Sequence, residues 1–189
     1  MLRIAFTGPH GTGKTTLIKA IAPQLVSVGR VTICREAPRL IIEKLGDSEF
    51  FRRENNKPSR QALIFLEHLM EERRAESNVD VVISDRTLVD HLAYTLSLFP
   101  ETANSPEVKI YENLAFESLT TYDAIFQLPI EFFPEDDGVR ESDTLFQRQI
   151  DDKITSLYSK SKTIPVVIRG SVNERANQVI AYLKENDLV

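Results

Sequence analysis

The chain has 189 residues, 42% of them hydrophobic and 27% charged, and a formal net charge of −5 at pH 7. That length suits one domain with a substantial core, and the acidic balance excludes the broadly basic surface that nonspecific nucleic-acid binding needs, though not a local basic cleft. A single cysteine, Cys34, excludes an internal disulfide, no Cys/His cluster offers a zinc site, and no apolar run approaches the ~18 residues of a membrane span, so a soluble cytoplasmic protein without membrane contact is expected.

The first apolar run, Leu2-Arg3-Ile4-Ala5-Phe6, predicts a strand over 3–7 with no leader before it. It continues directly into Gly8-Pro9-His10-Gly11-Thr12-Gly13-Lys14-Thr15-Thr16. This fits G-x-x-x-x-G-K-[ST], a phosphate-binding P-loop lying where such a loop must lie, between a strand and a helix. Gly8, Gly11 and Gly13 let the backbone turn tightly, so that its N–H groups, those of His10 and Thr12 among them, converge on one point. The helix predicted over about 14–26 adds the positive end of its dipole there. Lys14 reaches β- and γ-phosphates, the Thr15 hydroxyl suits a Mg²⁺ shell, and Thr16 is placed to help hold an α-phosphate. The expected ligands are ATP and Mg²⁺.

Farther along, a strand over 30–35 carries Cys34 near its end, as a small buried residue, and finishes in Arg35-Glu36-Ala37-Pro38-Arg39. A charged, irregular segment follows over 47–58. A helix is predicted over 59–77, with Ala62, Leu63, Phe65, Leu66, Leu69 and Met70 as its apolar face. The strand over 80–84 leads to Ser84-Asp85-Arg86-Thr87 and another helix, and Ser105-Pro106 caps and opens a helix to about residue 119. After a strand over 124–128, the stretch 129–143 is long and irregular enough for a lid or binding loop. A last strand over 165–169 precedes Ser171-Val172-Asn173-Glu174, a capping box for the final helix. Short, nearly continuous apolar strands alternating with helices predict a three-layer α/β P-loop NTPase fold with a five-stranded, mainly parallel sheet, one domain over 1–189 and a lid over about 129–143.

In such a sheet ligands bind outside the carboxyl ends of the strands, so the tips at Glu36 and at Asp85-Arg86 should face the P-loop. A carboxylate there receives a hydroxyl proton or holds Mg²⁺ through water, and an arginine neutralises phosphate charge. The plainer roles are a helix N-cap for Asp85, a surface ion pair for Arg86 and an exposed helix-start acid for Glu36. The side chains of His10 and His91 are assigned no role.

The P-loop, Arg35-Glu36-Ala37-Pro38 and Asp85-Arg86-Thr87-Leu88-Val89-Asp90-His91-Leu92-Ala93-Tyr94 together resemble thymidylate kinase, with its R-E-P after strand two and D-R-x-x-x-S-x-L-A-Y at the tip of strand three. Asp137-Gly138-Val139-Arg140, with Phe146 and the following helix, resembles the lid of ribosylnicotinamide kinase domains. The resemblance implies that Arg140, with Arg148, contacts transferring phosphates, that 170–173 lies near the adenine, and that Glu36 acts on an acceptor hydroxyl. Two departures stand out. The region Ala62–Leu69 holds no arginine to clasp a substrate monophosphate, and Arg35-Glu36-Ala37-Pro38-Arg39 replaces R-E-P-G-G.

The expected function is therefore an ATP-dependent kinase acting on the hydroxyl of a nucleoside- or nucleotide-like acceptor. Lys14, Arg86 and Arg140 would stabilise the transferred group, Thr15 and Asp85 the metal, and Glu36 or Asp85 would be the base. Two alternatives stay open. One is a hydroxyl within DNA or RNA, reached through a basic groove of Arg35, Arg39, Arg52, Arg53, Lys57 and Arg60; the other is a regulatory ATPase with no acceptor. Related kinases are often homodimers, but the sequence marks no dimer surface.

Overall fold

The computed structural model describes residues 1–46, 56–76, 79–131 and 144–189. Five strands, β1 (Leu2–Thr7), β2 (Val31–Cys34), β3 (Val81–Asp85), β4 (Ala124–Gln127) and β5 (Val166–Val167), form one parallel sheet in the order β2-β3-β1-β4-β5. Seven α-helices are described: α1 (Lys14–Leu25), α2 (Ala37–Leu45), α3 (Pro58–Ala75), α4 (Leu88–Leu98), α5 (Pro106–Leu119), α6 (Thr144–Ser161) and α7 (Val172–Glu185). This is the α/β P-loop fold expected, and none of the described helices is long and apolar enough to cross a membrane.

Both faces of the sheet are covered, which is why its strands read as continuous apolar runs rather than alternating ones. The period-2 alternation survives only in which neighbours each residue meets. Ile4, Phe6, Ile83 and Phe126 pack with Leu17, Ile21, Val179 and Leu183 of α1 and α7. Ala5 and Ile125 face the other way, toward Leu88, Leu92, Ile150 and Ile154 of α4 and α6. β5 is two residues long because it borders only β4, pairing Phe126 with Val166 and Gln127 with Val167.

The inward face of α3 differs from the apolar stripe expected. Gln61, Ile64, Phe65, His68 and Glu72 are buried, whereas Leu63, Leu66 and Met70 are 39%, 45% and 50% exposed. The polar residues turn inward because partners wait there. Glu72 accepts hydrogen bonds from Ser84 Oγ of β3 at 3.1 Å and from the Tyr122 hydroxyl, and His68 packs edge-on against His91 at 4.8 Å between ring centroids. Apolar periodicity alone is blind to such a stripe. Cys34 ends β2 fully buried, and burial, with the Glu72 charge nearby, pushes its thiol up to about 12.

Sheet order places the site. From β1 the chain runs outward to β2 on one side, while from β3 it crosses to β4 on the other, so a crevice opens at the carboxyl ends of β1 and β3. The register pairs Phe6 with Asp85 and Cys34 with Ser84, so the residues just beyond these pairs, including Gly8, Arg86 and Glu36, emerge at one rim.

Candidate active site

At the carboxyl end of β1 the backbone takes positive φ at Gly8 (136°), Gly11 (73°) and Gly13 (83°). Gly8 has no alternative, since a Cβ there would lie 2.4 Å from the Leu128 carbonyl oxygen. Gly13 is the N-cap of α1, with no side-chain cap and no acidic residue in the first turn. Thr12 is buried, with its hydroxyl donating to Pro9 O at 3.0 Å, while Gly11, Thr15 and Thr16 face solvent. Lys14 is buried and arches back over the loop. Its Nζ donates to Gly8 O at 2.9 Å, to Pro9 O at 2.6 Å and to Thr12 Oγ1 at 3.2 Å. Burial, reinforced by the nearby Arg86 charge, brings its ammonium down to about 7.

Asp85, Arg86 and Glu36 gather beside this loop. The Thr15 hydroxyl donates to Asp85 Oδ2 at 2.5 Å. Burial and the Glu36 charge push the Asp85 carboxyl above its usual range, against the pull of Lys14, Thr15 and Arg86. Arg86 is 2% exposed, so it is no surface ion pair. Its Nε donates to Glu36 Oε1 at 2.6 Å and its Nη1 to Gly8 O at 3.0 Å, and its guanidinium lies 5.2 Å from the centre of the Tyr94 ring. The simpler capping roles fall away. Thr87 caps α4, and Glu36, although at the N-cap position of α2, makes no cap hydrogen bond and is buried. Glu36 gives its oxygens instead to Arg86 and, at 3.4 Å, to Arg39.

Several supports of the loop do not stand out in the sequence. Asp90 Oδ1 accepts from Gly8 N at 3.0 Å, and its Oδ2 from Thr7 Oγ1 at 2.9 Å. The Tyr94 hydroxyl meets His10 N at 3.2 Å and His10 Nδ1 at 2.8 Å, and Gln147 of α6 donates to His10 O at 2.7 Å. Arg175 of α7 donates to Thr12 O at 2.7 Å and pairs with Glu131, which also accepts from Gly170 N at 3.0 Å. The one local signal among these is the T-x-x-D spacing of Thr87 and Asp90, which forms a capping box in the structure in place of the Asp85 cap considered from sequence. His10 thus has its ring in a structural setting, with Phe146 6.1 Å away, while its backbone belongs to the loop.

Arg140 and nearly all of the 129–143 lid lie outside the described residues, as do Arg52 and Arg53. Arg148 is exposed on α6, and Ser171 caps α7 through the expected box with Glu174. Arg35 pairs with Glu43 at 3.1 Å and Arg39 with Glu36, so these two arginines of the envisaged basic groove have acidic partners. Arg73 is 70% exposed and pairs with Glu76, away from the crevice.

The residues at the crevice fit a divalent cation. Thr15 and Asp85 offer two hard oxygens in contact, and the Asp85 carboxyl, buried beside the Glu36 charge, would gain from a cation. Among the described residues no group of three or more His, Cys, Asp or Glu side chains could hold a metal.

Among solved structures, thymidylate kinase from Ehrlichia chaffeensis is similar over 96% of this chain and 98% of its own, at 19% identity with a TM-score of 0.68. NadR protein in complex with NAD and AMP-PNP is similar over 97% of this chain at 15% identity and the same TM-score of 0.68, but this chain covers only 49% of that one. Both likenesses are of fold. No curated protein matches. The AAA domain family matches residues 3–175, from within β1 to the arginine that braces Thr12, and the protein belongs to that family.

Proposed function

We propose that the protein is an ATP-dependent kinase that transfers the γ-phosphate to a hydroxyl of a nucleoside- or nucleotide-like acceptor. The observation that carries this reading is the convergence of Lys14, the Thr15–Asp85 pair and the Glu36–Arg86 pair at the rim shared by β1, β2 and β3. A site for triphosphate hydrolysis alone does not require the second buried carboxylate at Glu36. Arg73 points outward to Glu76, which favours an acceptor presenting a hydroxyl over one presenting a phosphate.

In this mechanism the P-loop N–H groups and the start of α1 bind the phosphates, and Lys14 exchanges the loop carbonyls for β- and γ-phosphate oxygens. Thr15 and Asp85 would hold Mg²⁺, which when bound would supply positive charge against the phosphates. Glu36 takes the proton of the acceptor hydroxyl. Asp85 is engaged by Thr15, whereas Glu36 sits one strand farther out, paired with Arg86. Arg86, fixed by Glu36 and Gly8 O, stabilises charge on the transferred group, where positioning and electrostatics supply most of the rate. Arg140 is assigned the same task from the 129–143 lid, whose closing excludes water.

Incubation with ATP·Mg²⁺ alone, then with nucleosides, monophosphates and oligonucleotides, tests the reading. Transfer to a nucleoside or nucleotide hydroxyl is expected. Acceptor-independent hydrolysis at enzymatic rates would instead make the protein a regulatory ATPase, and transfer only to oligonucleotides would move the acceptor into nucleic acid.

Proton linkage gives an independent check. A lysine near 7 in the free protein that gains a triphosphate partner returns toward its ordinary value, about 10.4. Binding at pH 8 should therefore take up roughly 0.9 proton, and affinity should fall by up to about tenfold per pH unit above 7. The same shift makes the free protein gain stability between about 7 and 10.4, where the unfolded chain binds more protons than the folded one. Calorimetric titration in buffers of different ionisation heat reads the uptake, and binding without proton uptake would contradict the buried setting of Lys14.

A further inference from the structure

Asp90 lies in the first turn of α4 with no exposed surface, yet five donors converge on its one carboxylate. Two of them come from Thr87, each at 2.9 Å from Oδ2: its N–H, which is the carboxylate's leg of the capping box, and its hydroxyl. A helix cap needs no more than these. The other three come from outside it. Thr7 Oγ1 donates to Oδ2 at 2.9 Å, Gly8 N to Oδ1 at 3.0 Å, and Arg86 Nη1 approaches Oδ1 at 3.4 Å.

These bonds close a ring. Asp90 holds the N–H of Gly8, and the carbonyl of the same residue receives both Arg86 Nη1 at 3.0 Å and Lys14 Nζ at 2.9 Å. Arg86 in turn reaches back to Asp90 and, through Nε, out to Glu36. Gly8 is thus gripped on both sides of the position where its φ of 136° sends the chain into the loop. The phosphate-facing loop and the acceptor-facing Arg86–Glu36 pair therefore share one anchor. A buried carboxylate is stable there because it is fully hydrogen-bonded and faces a guanidinium.

We propose that Asp90 is a positioning residue that keys the first peptide of the P-loop to Arg86, so that phosphoryl group and acceptor hydroxyl meet in register. It acts through Gly8 and Arg86 and touches neither reactant. This rests on the kinase reading for its kinetic consequences, but not for its effect on nucleotide binding. Asparagine at position 90 keeps the shape and supplies a single acceptor oxygen. Whichever way the amide turns, an NH₂ group faces either Gly8 N–H and Arg86 or the Thr87 N–H.

In Asp90→Asn, kcat should fall roughly 10- to 100-fold while the acceptor KM moves by less than about threefold, as expected when geometry rather than contact is lost. Combined with Arg86→Lys, the loss should stay within about threefold of the slower single variant, because both changes break the same ring. Losses that multiply, or a kcat within about twofold of wild type, would overturn the proposal. Should Asp90→Asn not fold, Thr7→Val removes one donor from the carboxylate at constant shape. It should lower kcat about 3- to 10-fold, and an unchanged kcat again overturns the proposal. Calorimetric binding of the β,γ-imido analogue of ATP with Mg²⁺ separates this from the kinase reading. If wild type transfers phosphate to no acceptor, the kinase reading fails, and Asp90 is then judged by analogue affinity alone. A weakening of about tenfold in Asp90→Asn upholds its role, and an unchanged affinity rejects it.

Discussion

Lys14→Ala is expected to lower kcat by about 10³-fold or more while the chain stays folded, since removing one pre-oriented donor from a charge-developing oxygen costs about 10²–10³ and a phosphoryl-stabilising cation is worth about 10³–10⁵. The fold should tolerate the change. The side chain removed is a buried cation that burial already disfavours, and Gly8 O keeps its bond from Arg86. What is lost is the donor to Pro9 O and to Thr12 Oγ1, a cost of about 1–3 kcal/mol set against relief from burying a charge. Steady-state transfer assays beside a thermal melt decide the matter. Turnover near wild type in a folded Lys14→Ala protein would sink the mechanism, and a collapsed melt would make the lysine a structural group first.

Glu36→Gln and Asp85→Asn should separate the two carboxylates. If Glu36 is the base, its amide cannot take the hydroxyl proton, and kcat should drop about 10²–10⁴-fold with little change in the Mg²⁺ concentration needed for half-maximal rate. Asp85→Asn should mainly raise that Mg²⁺ requirement, with part of the rate recovered at high metal, because Asp85 shares its oxygen with Thr15. The opposite pattern, an untouched kcat in Glu36→Gln beside a dead Asp85→Asn, gives the base to Asp85. Glu36→Gln also weakens a buried ion pair, and breaking such a pair costs about 3–5 kcal/mol. The comparison is therefore to be made well below the melting temperature of each variant.

Elements written in local chemistry were legible before the structure. The glycine spacing of residues 8–13 requires a tight loop, the β-branched runs give the strands to within one or two residues for β1 to β4, and Ser105-Pro106 and Ser171…Glu174 mark helix starts that the structure shares. Parallel pairing then brings Glu36, Asp85 and Arg86 to the loop, as strand-tip reasoning requires. Two kinds of information were not local. The inner stripe of α3 is polar, and its burial depends on Ser84 and Tyr122, which arrive from other elements. Asp90 and Arg175 act on residues 82 and 163 positions away, a reach no spacing rule encodes. A charged residue inside a helix looks the same in sequence whether it meets water or a loop carbonyl.

Arg86 has a φ of 94°, a conformation that costs a bulky residue of order 1–3 kcal/mol, held here by the bond from its N–H to Phe6 O and by the packing of its guanidinium. Glycine would adopt that backbone without strain. Selection for melting temperature alone, with no demand for turnover, has a reason to abandon arginine at this position, together with the acids that its charge now compensates. Persistence of the strained arginine in laboratory lineages evolved under heat would then report selection for chemistry, and its disappearance would mark those in which catalysis had been traded for durability.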